Sequence, residues 1–155
     1  MKNIILMLIA TLIFMNVGNI QKISPDKVPN AVSTAFKTKF PMVSKVKWEM
    51  EKENEYEAIF KLNGKETTAN FDNLGKWMET ETEIKVSELP QSVQLALKND
   101  FKGFKIEEAC KIESAKDGIC YEAEIEKGKE SFDVIFTQYG KVLSKTKIDE
   151  KEKKD

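Results

Sequence analysis

The sequence predicts an α+β fold of two tandem repeats, each one helix packed on a four-stranded antiparallel sheet. Three observations predict it. The segment from Val28 to Phe40 returns as Leu89 to Phe101, 61 residues later (89 − 28). Each copy opens with a proline followed by apolar residues at helical spacing. Each then switches to an alternating pattern of period two, the mark of half-buried strands. A repeat of this length is a whole small module, so the chain is organised as residues 25–84 and 88–148, joined by a short link at Lys85–Glu88.

In the first copy Ser24-Pro25-Asp26-Lys27 reads as a turn, and Pro29 suits a helix start, where its missing N–H costs nothing. Val32, Ala35, Phe36 and Phe40 fall on one helical face, and Pro41 ends the helix. Val46, Trp48 and Met50 then alternate with charged residues, as do Tyr56, Ala58, Phe60 and Leu62. Asn63-Gly64 follows as a hairpin turn of type I′, which needs positive φ at both central residues. Thr67, Ala69 and Phe71 mark a third strand, Asp72-Asn73-Leu74-Gly75 a turn, and Lys76 to Ile84 a fourth strand.

The second copy repeats the pattern. Pro90 opens it, and Val93, Ala96, Leu97 and Phe101 form the helical stripe. Cys110, Ile112 and Ser114 are read in the places of Val46, Trp48 and Met50. Tyr121, Ala123 and Ile125 answer Tyr56, Ala58 and Phe60, while Phe132, Val134 and Phe136 answer Thr67, Ala69 and Phe71. The closing run, residues 149–155, is a charged tail of the kind that is usually solvated.

Ahead of the repeats, Lys2 precedes a fourteen-residue apolar run, Ile4 to Val17, broken only by Thr11 and Asn16. A spanning helix needs about 20 such residues, so the run fits the core of a signal peptide, residues 1–18, better than an anchor. Export to the periplasm or the medium is the expectation, with no membrane span left after cleavage. Without residues 1–18, which hold one lysine and no acid, 24 lysines face 26 acids. So balanced a chain has no basic field for phosphates, which argues against nucleic acid. Arginine and histidine are absent. The chain therefore lacks the commonest general base and zinc ligand as well as the usual bidentate anion clamp. A non-enzymatic protein without cofactor or metal is expected, and a monomer.

Several of these residues also carry a family resemblance. Pro29, Val32, Ala35, Phe36, Phe40 and Pro41, followed by Val46-x-Trp48, Tyr56-x-Ala58-x-Phe60 and Phe71-Asp72-x-x-Gly75-x-Trp77, closely resemble the PepSY-like, beta-lactamase-inhibitor-like proteins exported by Bacteroidetes. The resemblance extends over residues 25–148 and is fuller in the first copy. The second departs at Lys102, Ile112 and Val142, where the pattern has Pro, Trp and Trp. It implies two helix-plus-sheet modules whose sheets offer a broad surface, and an envelope location. It implies no catalytic residue, and fold alone does not carry function.

The candidate sites are few. Cys110 and Cys120, the only cysteines, flank the turn Lys116-Asp117-Gly118. In an oxidising compartment such a pair invites a disulfide, worth roughly 3 kcal/mol for so small a loop. Side-chain parity speaks against it, with Cys110 inward and Cys120 outward, although a bulge near the turn would reconcile them. The acidic alternations at Glu49 to Glu57 and at Glu79, Glu81 and Glu83 read as solvated faces rather than calcium loops, which need converging oxygens. Ile59 and Ile135 sit on the charged parity of their strands, and Trp77 begins a strand of ambiguous parity. They are either scattered surface apolars or anchors on the open sheet face for a protein or peptide partner in the cell envelope. The alternative function is a periplasmic carrier or sensor of a small molecule or ion.

Overall fold

The computed structural model describes residues 21–148. The expected leader, residues 1–18, and the charged tail, residues 149–155, lie outside the described residues. The elements run β1 (Gln21–Ile23), α1 (Asn30–Lys39), β2 (Val46–Lys52), β3 (Glu55–Leu62), β4 (Lys65–Asp72), β5 (Trp77–Glu83), α2 (Gln91–Asp100), β6 (Lys105–Ser114), β7 (Gly118–Lys127), β8 (Glu130–Thr137) and β9 (Val142–Lys147). Both helices and the eight strands read from periodicity are present. The short β1 was missed, because three residues are too few to show alternation. It pairs with β2 through Gln21–Met50, Lys22–Glu49 and Ile23–Trp48.

The four-stranded sheets expected of the two repeats are not found as separate sheets. The strands form one antiparallel sheet of nine, in chain order from β1 to β9. β5 pairs with β6, from Glu79 opposite Ser114 to Glu83 opposite Cys110, so neither strand is left as an edge with unpaired backbone groups. By packing, the described chain divides into two compact units. The N-terminal unit is residues 21–84 together with Cys110–Cys120, and the C-terminal unit is Lys85–Ala109 together with residues 121–148.

The core of the N-terminal unit lies between α1 and one face of β2–β4. Val28, Val32, Phe36 and Phe40 meet Trp48, Ala58, Phe60, Ala69 and Phe71, all of them buried. Ring–ring packing organises it: Phe36 lies 5.3 Å from Trp48 and 5.2 Å from Phe60, both edge-on. The C-terminal unit buries Leu89, Val93 and Leu97 from the helical segment, and Ala109, Ala123, Ile125, Val134 and Phe136 from its strands.

Turn chemistry sets the registers. Asn63 and Gly64 have φ of 53° and 81°, the positive pair that a type I′ turn requires. The turn after β4 is held by Asp72, whose carboxylate accepts from the N–H groups of Leu74 and Lys76. The turn after β8 uses Thr137 in the same way, its hydroxyl accepting from the Lys141 N–H. Gly75 and Gly140 occupy these turns at positive φ, and a Cβ on either would lie 2.5 Å from a helix carbonyl, that of Ala31 or Ser92. Glycine at both places lets turn and helix backbones touch.

Candidate functional site

In the N-terminal unit α1 covers the sheet face that carries Trp48, Ala58 and Ala69. The opposite face is assembled by register from five strands. Directly opposed residues share a face, so Glu49, Glu57, Asn70, Glu79 and Ser114 form one continuous cross-strand row. Lys47, Ile59, Thr68, Glu81 and Ile112 form the neighbouring row. Four glutamates stand against one lysine in these two rows.

This face is not the solvated surface expected from its alternating charges. Glu57 is only 5% exposed, and Glu49, Asn70, Glu79 and Glu81 are each half-buried. The Glu79 carboxyl is held above the usual carboxylate range, first by burial and then by repulsion from Glu55 and Asp117, with Lys52 opposing. The acids are spread along the row rather than gathered. Strands lie about 4.8 Å apart, so Glu49 and Glu79 are separated by three steps, about 14 Å. Among the described residues no three His, Cys, Asp or Glu side chains are placed to hold a metal ion. The arrangement suits an extended surface carrying positive charge better than a single cation.

The residues singled out from the sequence part company here. Ile59 is on the open face, half-buried in the second row beside Thr68. Ile135 belongs to the C-terminal unit, opposite Ser144 of β9 and on the other parity from Val134 and Phe136. Trp77 is not on the open face. It opposes Phe71, packs against the core under α1, donates from its indole N–H to the Thr80 hydroxyl at 2.9 Å, and has the Lys39 ammonium 3.7 Å from its ring centre.

The reading of β6 also changes. Ile112 is buried opposite Glu81 and therefore shares the face of Ile59, not the face of Trp48. A slip of one residue in register turns every side chain of a strand over. The alternation in β6 is weak enough to allow that error, because Ala109 and Ile112, three apart, are both buried. The cross-strand register with β5 was the missing signal.

The structure draws no bond between Cys110 and Cys120, the pair whose spacing raised a disulfide. Cys110 opposes Glu83, four residues before Ser114 and so about 13 Å along the strand from it. Cys120 stays near the turn, its Sγ 3.9 Å from the Asp117 carbonyl oxygen. Cys120 is buried rather than outward, and burial, followed by the charges of Asp117 and Glu79, pushes its thiol pKa up. Such a thiol is a poor nucleophile.

Comparison with known proteins places this geometry. The chain matches the model of the beta-lactamase-inhibitor-like, PepSY-like family over residues 14–61 and 54–144. No curated protein matches it. Among solved structures it is similar to a DUF2874 family protein from Bacteroides uniformis, with 23% identity and a TM-score of 0.71 over 77% of this chain and 88% of that one. A Bacteroides eggerthii protein, provisionally described as periplasmic, gives 22% identity and a TM-score of 0.71 over 78% and 89% of the two chains. A BLIP-like protein from Bacteroides fragilis gives 25% identity and a TM-score of 0.68 over 77% and 86%.

Proposed function

Because this chain belongs to the beta-lactamase-inhibitor-like, PepSY-like family, we propose that it is an exported, non-enzymatic binding protein that holds a protein or peptide partner on the open sheet face of its N-terminal unit. The observation that carries this reading is the pair of five-residue rows. They set the half-buried Ile59 among Glu49, Glu57, Glu79 and Glu81 on the face opposite α1. An apolar centre with a charged surround is the usual anatomy of a recognition surface. The acidic surround favours a partner that presents lysine or arginine.

An inhibitor-like role is supported by the family description and by the BLIP-like neighbour. A periplasmic location is supported by the apolar leader and by the description of the Bacteroides eggerthii structure. The absence of histidine and arginine from the sequence supports binding over catalysis.

The test is a pulldown from native envelope extract with the wild type, I59E, E81K and the remote control L95A. Loss of the same partner with I59E and E81K, its retention with L95A and weakening of capture by salt are expected. An identical partner list for all four folded proteins would overturn the assignment of the face.

A further inference from the structure

The two helical stripes are equivalent in sequence, but the space beneath them is filled differently. In the N-terminal unit, Phe36 of α1 and Phe60 of β3 close the core with Trp48. The repeat puts Leu97 and Ile125 at the positions of Phe36 and Phe60. β6 brings only the small Ala109 to the buried part of the C-terminal unit. Three aromatic rings in one unit thus correspond to two branched aliphatics and a methyl in the other. Where rings are missing, a groove of about 630 Å³ opens at the C-terminal end of α2, with Leu97 and Ile125 in its floor and Phe101 and Phe104 in its wall. That volume lies within the range of small-molecule sites, about 300–1,000 Å³.

The electrostatics of the groove are one-sided. Lys98 and Lys102, both exposed, line it, and no acidic side chain does. Lys127 adds a third ammonium, folded over Gly103 and 5.6 Å from the Phe104 ring centre. The C-terminus of α2 supplies only about half a negative charge in opposition. Phe101 and Phe104 meet edge to face, with centroids 6.4 Å apart, and give the groove an aromatic wall for a flat partner to pack against.

We infer that this groove binds an aromatic monoanion, its ring system taking the space of the missing rings and its acid group meeting Lys98 and Lys102. The groove is built wholly from residues of the C-terminal unit, so partner binding on the face carrying Ile59 is a separate property.

Calorimetric titration of the protein with 1-naphthoate and with its neutral analogue 1-naphthalenemethanol tests the inference. The anion binds with one-to-one stoichiometry and at least tenfold more tightly than the alcohol. Salt weakens the anion alone, because only its contact is ionic. In K98E/K102E, surface changes that leave the core intact, the preference for the anion disappears. I125F, which restores the ring found at position 60, closes the groove to both compounds. Equal affinity for acid and alcohol in the wild type, an unchanged preference in K98E/K102E, or no binding of 1-naphthoate at millimolar concentration would each refute the site. Tighter binding of dodecanoate than of 1-naphthoate would refute its aromatic character.

Discussion

Phe36→Ala is the most informative perturbation of the fold. The Phe36 ring is 3% exposed and lies 5.4 Å from Phe40, 5.3 Å from Trp48, 5.2 Å from Phe60 and 6.4 Å from Phe71. Truncation leaves a cavity walled by large rings from a helix and three strands. Those elements are fixed by backbone hydrogen bonds and cannot collapse into the void. Buried Phe→Ala changes cost about 3–5 kcal/mol, and the upper half of that range, about 4 kcal/mol, is expected. The same substitution at Phe101, half-buried with ring neighbours at 6.4 Å and 6.1 Å, should cost about half as much. Urea unfolding followed by tryptophan emission is the assay, since Trp48 and Trp77 both report on the N-terminal unit. With an m-value of about 2 kcal/mol/M, the midpoint falls by about 2 M. A loss below about 2 kcal/mol, or one no larger than that of Phe101→Ala measured by circular dichroism, would refute the claim that α1 is pinned through this ring.

Three further outcomes follow from the geometry. Glu79→Gln should raise the unfolding temperature by a few degrees at pH 7 and leave it unchanged near pH 4. The raised pKa means that the folded state favours the protonated acid, so stability is lost as pH rises from the ordinary value through the folded one. A pH-independent effect would show that burial of this charge is not the cause. Gly75→Ala should cost more than twice what Gly64→Ala does by urea unfolding. Both positions have positive φ, worth about 1–2 kcal/mol to an L-residue, but only at Gly75 does a Cβ meet the Ala31 carbonyl. Thiol titration should find two reactive groups in the denatured, unreduced protein, with Cys120 reacting slowly in the native state. No reactive thiol would mean that the bridge forms.

Periodicity and turn chemistry made the helices, the Asn63-Gly64 hairpin and the alternating strands legible, because each is decided by residues close in sequence. Phe36 and Phe60 could be placed in the core for the same reason. The candidate site was only half legible. Parity set Ile59 on the open face, where the structure has it, but Trp77, read at an ambiguous strand start, packs partly buried against the core. Ile112 was set on the wrong face by one residue, and Glu57 and Glu79 were taken for ordinary solvated acids. What joins Glu49, Glu57, Asn70, Glu79 and Ser114 is the pairing of five strands from distant parts of the chain, including β5 with β6.

The sequence by itself determined the kinds of element, their order, the apolar stripes of α1 and α2, and a chemistry without arginine or histidine. Only the tertiary structure decided that the strands join in one sheet, which residues share its open face, and that the C-terminal unit keeps a groove where the N-terminal unit keeps rings. Local patterns fix what one segment prefers to bury. Register and packing volume belong to pairs of segments, and no single segment encodes them.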